Sequence, residues 1–180
     1  QHINNEILRN MRRGITKEKT NELIHKIRTI IPNVALRTSI MVGFPGETDE
    51  QFQELADWIK EIKFDRLGVF TYSHEENTTA YQMKDNVPQK VKKQRADELM
   101  RIQQDISYEL NQQKIGKVFK TIIDRKEGEY WIGRTEYDSP DIDNEVLIYT
   151  NKPLQKGHFY HVKITDAQEF DLFAEIINPL

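Results

Sequence analysis

Two glycines close together mark the segment best suited to bind a ligand. Residues 43–48 (GFPGET) lie between a short apolar run and a segment with helical periodicity. At such a strand–turn–helix junction, backbone N–H groups and the helix N-terminus converge at the carboxyl end of the strand, where α/β proteins bind ligands. A P-loop is excluded because no lysine precedes Thr48 and the spacing differs. The alternative is a tight turn in which Gly43 and Gly46 only supply positive φ angles.

A second polar segment leaves the next apolar run at the same predicted edge. Residues 71–76 (TYSHEE) include the end of that run and the residues after it. Their polar side chains are therefore expected to face the same cavity as residues 43–48. His74 and Glu75 are compatible with an acid–base pair. The alternative, which we favour, is that both are ordinary loop residues.

The histidines do not form a metal-binding pattern, and the sequence has no cysteine. Disulfides, thiol nucleophiles, and zinc or iron–sulfur centres ligated by cysteine are therefore excluded for this chain. His158 and His161 are three positions apart on a predicted strand, so their side chains point to opposite faces and cannot chelate one ion together. We predict no metal site from the residues present.

Hydrophobic periodicity predicts the elements that position these segments. Residues 34–42 and 67–72 are short, mostly apolar and rich in β-branched residues, which is typical of parallel strands covered on both faces. A helix that begins after Thr48, with Gln51 completing a capping box, connects them. Strand, helix and strand in this order indicate a parallel sheet. A long helix follows over about residues 88–113.

Further helices are predicted over about residues 3–11 and 16–31, where apolar residues recur at helical spacing. The long helix carries an apolar stripe that includes Leu99 and Ile106. The cations near its start are predicted to form its solvent-exposed face: Lys90, Lys92, Lys93 and Arg95.

Beyond Gly116 the period of the apolar residues changes from that of a helix to that of a strand. Five short strands with turn residues between them suggest a small antiparallel barrel of OB-like size. They are predicted at residues 118–124, 129–136, 145–149, 159–165 and 170–177. The fold class is therefore α/β over residues 1–115, followed by an all-β barrel over residues 116–180.

Composition and charge narrow the class of partner. The 180 residues carry a net charge of -3, and residues 111–180, with 9 Lys and Arg against 12 Asp and Glu, account for it. A negative segment is a poor surface for nucleic acid and suits a basic protein better. No run approaches the roughly 20 apolar residues of a membrane span, and the first residues lack the pattern of a signal peptide. We expect a soluble, cytoplasmic protein with no membrane partner.

Three motifs taken together resemble the radical S-adenosylmethionine methylthiotransferases. They are residues 11–14 (MRRG), 37–48 (RTSIMVGFPGET) and 68–73 (GVFTYS), in the family's order and spacing. The final barrel resembles the family's TRAM domain. Residues 133–143 (GRTEYDSPDID) are similar to the RimO branch, which modifies a ribosomal protein, whereas the related MiaB branch modifies tRNA. The resemblance implies that residues 1–115 are the terminal part of a partial (β/α) radical SAM barrel.

The same resemblance implies an activity and its cofactors. The full-length parent would use S-adenosylmethionine and two [4Fe–4S] clusters to insert a methylthio group at the β-carbon of an aspartate in a basic small-subunit ribosomal protein. The family's cluster cysteines lie upstream of every residue in this chain, which is therefore similar to a C-terminal fragment. Such a fragment is predicted to bind no cofactor stably and to be inactive alone.

The resemblance also implies site residues. Those of the S-adenosylmethionine site are Gln1, Arg37, Ser39, Gly43, Phe44, Gly46, Glu47, Phe70, Tyr72 and Ser73, and those of the substrate-docking site are Arg134, Asp138, Asp141 and Asp143. We favour Arg37 and Ser39 as cavity-facing, because alternate strand residues share a face and polar groups buried against helices would need partners. The alternatives are an arginine that reaches the barrel's edge and an acidic loop that is only solvated.

Two other functions stay open. One is a tRNA adenosine methylthiotransferase, with ribosomal or transfer RNA as the partner, and the negative charge of the final segment argues against it. The other is a non-enzymatic OB-like binding module with an α/β appendage. Cysteines spaced three and then two residues apart, upstream of Gln1, would distinguish an enzyme from such a module.

Overall fold

A computed structural model describes residues 1–140 and 142–179 and divides the chain into two compact units, Gln1–Gln103 and a second that begins at Gln104. The first unit contains α1 (Asn5–Asn10), α2 (Lys17–Ile30), β1 (Arg37–Val42), α3 (Asp49–Ile62), β2 (Arg66–Thr71) and a short 3-10 turn (Thr79–Gln82). Helix α4 (Gln89–Gln112) follows, and the division falls within it. The second unit contains β3 (Val118–Glu127), β4 (Tyr130–Thr135), β5 (Glu145–Tyr149), β6 (Phe159–Ala167) and β7 (Asp171–Pro179).

The first unit is built on a parallel pair of strands joined by α3. The register runs from Arg37 beside Arg66 to Val42 beside Thr71. Helix α3 begins with the predicted capping box, in which Thr48 accepts the N–H of Gln51 and the Gln51 side chain accepts the N–H of Thr48. The box satisfies N–H groups that a helix start otherwise leaves without partners. The predicted strand–helix–strand arrangement is therefore confirmed.

Only one face of the β1–β2 pair is covered, so the prediction of strands buried on both faces is wrong for the described residues. Ile40 and Val42 are buried together with Leu55 and Ile59 of α3. The opposite face carries the exposed side chains of Arg37, Ser39 and Phe70, as the alternation of residues along a strand requires. The first unit thus presents an open sheet face.

The second unit is a closed barrel of five strands in the order β3-β4-β5-β7-β6. Strands β5 and β7 pair in parallel, and every other pair is antiparallel. The predicted five-stranded OB-like barrel is confirmed, and since a closed ring with an odd number of strands must contain at least one parallel pair, one of its pairs is parallel. The barrel core consists of alternating inward residues, including Ile123, Val146, Ile148, Val162 and Leu172.

The last turn of α4 belongs to the barrel unit. The Asn111 side chain donates to the carbonyls of Gln168 at 2.9 Å and Glu169 at 3.1 Å, and Gln112 donates to the carbonyl of Ala167 at 2.7 Å. These bonds tie the helix to the turn between β6 and β7. The division within α4 therefore falls earlier in the chain than the predicted boundary after residue 115.

Candidate functional site

A groove of about 340 Å³ opens at the carboxyl ends of β1 and β2. Four residues predicted for the S-adenosylmethionine site line it: Gln1, Phe44, Tyr72 and Ser73. Phe44 follows β1 and Tyr72 follows β2. Because the carboxyl ends of parallel strands lie at one edge of the sheet, these two residues lie close together. The folding of the strands therefore brings together two segments that are well separated in sequence.

Aromatic rings form the floor of this groove. The rings of Phe44 and Tyr72 meet edge to face with their centroids 5.3 Å apart, an arrangement that aromatic pairs prefer. Burial, and then the charges of Asp85 and Glu75, raise the pKa of Tyr72 above its ordinary value. Its phenol therefore keeps its proton through neutral pH, and its oxygen lies 3.1 Å from His74 Nδ1.

The turn between β1 and α3 contains three more predicted residues. Gly43 and Gly46 have φ angles of 73° and 86°, in the left-handed region that favours glycine. The Gly43 N–H donates to Glu47 Oε2 at 3.0 Å, and the Gly46 N–H donates to Asn86 Oδ1 at 2.7 Å. The glycines thus supply the positive φ angles, as predicted, and the turn is also held by side chains from two segments.

Glu47 is buried, and each of its carboxylate oxygens accepts a hydrogen bond from another residue of the protein. Oε1 accepts a 2.6 Å hydrogen bond from Arg95, while Oε2 accepts the Gly43 N–H and lies 3.5 Å from His2 Nε2. His2 Nδ1 accepts the Asn4 N–H at 3.0 Å, and its buried Nε2 makes no hydrogen bond within the described residues. Direct contact between Glu47 and a cofactor stays a prediction, and these internal bonds argue against it.

Lys92 and Arg95 of α4 also pack against the turn between β1 and α3. Both were predicted to be exposed. That prediction is wrong for both, since they are 2% and 6% exposed, and right for Lys90 and Lys93. A signal was present in the sequence, because both positions continue the buried stripe of α4 upstream from Leu99 at helical spacing. The prediction of exposure followed the positive charge of these two residues instead of their spacing.

The remaining predicted cofactor residues lie outside the groove. Arg37, Ser39 and Phe70 are on the open face of the β1–β2 pair, and Phe70 is 60% exposed. Parallel register places Ser39 beside Gly68 and Met41 beside Phe70, so the three residues share one surface. Their contact with a cofactor stays a prediction.

His74 and Glu75 bind separate partners. His74 contacts the Tyr72 phenol and stacks on Tyr81 with the ring centroids 4.6 Å apart, whereas Glu75 accepts the Ser73 hydroxyl at 2.5 Å. The favoured interpretation as loop residues agrees with these contacts. Among the described residues, no group of three or more His, Asp or Glu side chains could hold a metal ion.

Two of the predicted docking residues of the barrel, Arg134 and Asp143, line a second cavity of about 260 Å³. Arg134 Nε is 3.1 Å from Asp124 Oδ2, and Asp143 accepts the Ser139 N–H at 2.7 Å. Asp138, however, is 6% exposed and accepts the Thr135 hydroxyl at 2.6 Å. Its carboxylate stabilises the turn after β4, so direct docking by Asp138 stays a prediction that its burial argues against. Asp141 lies outside the described residues.

Comparison with known proteins agrees with this arrangement. Residues 1–59 match the radical SAM superfamily and residues 115–177 match the TRAM domain. The fold and these matches define a radical SAM segment followed by a TRAM barrel. No helix within residues 1–140 and 142–179 has the length and apolar character needed to cross a membrane.

The names of individual relatives identify the family to which the chain belongs. Proteins named ribosomal protein uS12 methylthiotransferase RimO are 59% identical over 179 residues in Christiangramia forsetii, 54% over 176 in Flavobacterium johnsoniae and 50% over 179 in Parabacteroides distasonis. By sequence the chain belongs to the RimO-type radical SAM methylthiotransferases. The matches cover at least 97% of this chain and about 40% of the length of these relatives.

Proposed function

We propose that the chain is the C-terminal part of a radical SAM methylthiotransferase that modifies the β-carbon of an aspartate in a small-subunit ribosomal protein. The observation that carries the proposal is the groove at the carboxyl ends of β1 and β2, which four of the predicted cofactor residues line. The relatives are named for action on the ribosomal protein uS12. A ribosomal substrate would place the protein in the cytoplasm, as expected from the sequence.

The residues of the groove fit S-adenosylmethionine. Met41 and Phe44 offer apolar surface to an adenine ring or a thioether, and Tyr72 and Ser73 offer hydroxyls to polar groups. Arg37 and Ser39, on the open sheet face, would complete the wall of a larger site in the full-length enzyme. When bound, S-adenosylmethionine supplies the radical that abstracts hydrogen from the substrate. The role of this chain is to bind and orient it.

The residues present do not fit an iron–sulfur cluster, because the chain has no cysteine thiolate to ligate iron. The two [4Fe–4S] clusters of the parent are therefore assigned to residues outside this chain. The 180 residues alone are expected to be inactive. Reconstitution with iron and sulfide, followed by absorbance and electron paramagnetic resonance, tests this directly, and a stoichiometric cluster signal would contradict it.

The barrel is proposed to dock the protein substrate. Residues 111–180 carry 9 cations against 12 carboxylates, which favours a basic protein over nucleic acid. Glu136 is exposed beside the turn that Asp138 stabilises. Arg134 and Asp143, which line the cavity of the barrel, are the described docking candidates. Asp138 acts indirectly, by shaping this turn.

The decisive experiment gives the full-length, cluster-loaded enzyme a choice of substrates. We expect it to add one methylthio group to the isolated ribosomal protein, detected by peptide mass spectrometry, and to leave tRNA unmodified. Replacing the target aspartate with alanine in the substrate is the control that locates the modification. Modification of tRNA alone would refute the proposal in favour of the tRNA-modifying alternative. Binding of a partner without turnover would favour a non-enzymatic module.

A further inference from the structure

Two cationic side chains of α4 are buried against the turns that wall the groove. Lys92 and Arg95 are 2% and 6% exposed, and a separation of three positions puts both on one face of the helix. A buried charge is costly unless hydrogen bonds and an opposite charge compensate for it. The carboxylates that compensate here are Glu47 and Asp49, in the turn after β1 and at the start of α3, and Asp85, in the loop before α4.

Arg95 spans the turn after β1. Its Nη1 donates to Glu47 Oε1 at 2.6 Å and to the Glu47 carbonyl at 3.3 Å, and its Nη2 donates to Asp49 Oδ1 at 2.6 Å. A planar guanidinium holds several acceptors in one arrangement, which an ammonium group cannot do. Since the other oxygen of Glu47 accepts the Gly43 N–H, Arg95 fixes the backbone of the turn through one carboxylate.

Lys92 holds the end of β2. Its ammonium group lies 2.6 Å from Asp85 Oδ2, 3.3 Å from the Tyr72 carbonyl and 4.9 Å from the centre of the Tyr72 ring. Its aliphatic stem passes over Gly43, so closely that a Cβ added to this glycine would lie 3.0 Å from Lys92 Cδ. Lys92 therefore contacts both the turn after β1 and the strand end that carries Tyr72.

We propose that Lys92 and Arg95 are positioning residues that set the affinity of the groove for S-adenosylmethionine without touching it. The identity of the ligand rests on the proposed function. Arg95 fixes the turn that carries Phe44, and Lys92 fixes the strand end that carries Tyr72. Without these ties the ligand must order the turns as it binds, and that ordering weakens binding.

The test uses the full-length enzyme and compares Arg95→Met with Lys93→Met, which removes the same charge from an exposed position of the same helix. Equilibrium dialysis gives the Kd for S-adenosylmethionine, and hydrogen exchange without ligand reports on residues 41–48. We expect Arg95→Met to raise the Kd about tenfold, the lower end of the loss seen when a metal site loses an outer-shell partner, and to speed exchange in residues 41–48. Lys93→Met is expected to change neither quantity.

Two further variants separate positioning from folding. Lys92→Met keeps an aliphatic stem over Gly43 and removes the ammonium group, so faster exchange is expected at residues 70–75. Arg95→Lys keeps the charge beside Glu47 but cannot reproduce the fork of donors, so it is expected to fold and still raise the Kd. Turnover should show a raised KM for S-adenosylmethionine with kcat nearly unchanged at saturation, because no reacting group is altered.

The possible outcomes test the positioning role and the proposed function separately. An unchanged Kd in Arg95→Met, or the same loss in Lys93→Met, overturns the positioning role. If Arg95→Met does not fold, an unchanged Kd in Arg95→Lys overturns it. If the enzyme fails to modify the ribosomal protein but the Kd still rises in the Arg95 variants, the proposed substrate is wrong and the positioning role holds. Absence of S-adenosylmethionine binding in the unmodified enzyme overturns both.

Discussion

Gly43 and Gly46 form a matched pair that measures how closely α4 presses on the turn. Both have positive φ angles, 73° and 86°, so replacing either with alanine costs about 1 kcal/mol of backbone strain. At Gly46 nothing lies within 4 Å of the added Cβ. At Gly43 the added Cβ would lie 3.0 Å from Cδ and 3.1 Å from Cβ of Lys92, and nearer still to its Cγ.

Overpacking of a buried site adds about 1–3 kcal/mol. We therefore expect Gly43→Ala to lower the free energy of unfolding of the first unit by about 2–4 kcal/mol, and Gly46→Ala by about 1 kcal/mol. Of the two tryptophans, Trp58 lies in the first unit and Trp131 in the barrel. Urea unfolding followed by Trp58 fluorescence in a Trp131→Phe background reports on the first unit.

A double-mutant cycle with Lys92→Ala tests the cause of the difference. Removing Cγ and Cδ of Lys92 should relieve the overlap at Gly43, so Gly43→Ala is expected to cost less in that background. Gly46→Ala should cost the same in both backgrounds. Equal costs for the two glycine variants, or additivity of Gly43→Ala with Lys92→Ala, would refute the close packing of Lys92 on the turn.

Three further predictions concern stability in both units. Thr48→Ala removes the cap of α3 and should cost about 1 kcal/mol in the same urea assay; no loss would contradict the role of the cap. Hydrogen bonds from Lys17 and then Asn4 lower the pKa of Glu54, so its contribution is present above the unfolded pKa of about 4.3 and disappears as the pH falls through the lowered value. The difference between the unmodified chain and Glu54→Gln should therefore shrink between neutral and acidic pH, and a constant difference would argue against the shift. In the barrel, an alanine Cβ at Gly133 would lie 2.8 Å from Cγ2 of Thr121, so Gly133→Ala should destabilise the second unit by about 1–3 kcal/mol, measured by Trp131 fluorescence in a Trp58→Phe background.

Most of the secondary structure follows from short-range signals. The capping box at Thr48, the glycines of residues 43–48 and the change of period after Gly116 each depend on residues that are neighbours along the chain. The predicted strands and helices therefore agree with the structure to within a few residues. The groove was also accessible to sequence reasoning, because the edge where parallel strands end is fixed by the strand–helix–strand order.

The carboxylates show where this reasoning stops. Glu47 reads as a ligand residue beside a glycine turn, yet its partner Arg95 lies 48 positions away along the chain. Asp138 was predicted as part of an exposed acidic loop, yet it is buried and accepts a hydrogen bond from the Thr135 hydroxyl. Charge density in a sequence does not say which carboxylates find an internal donor, because that depends on the path of the backbone around them.

The sequence by itself determined the order of elements, the barrel, the family resemblance and the exclusion of a cysteine-ligated cluster from this chain. Only the tertiary structure decided that Lys92 and Arg95 are buried, that Glu47 holds the turn, and that β5 and β7 form the parallel pair of the barrel. The physical reason is the range of the interactions involved. Caps, turns and periodicity act between neighbours, whereas the burial of a cation depends on acceptors that distant segments bring to it as the chain folds.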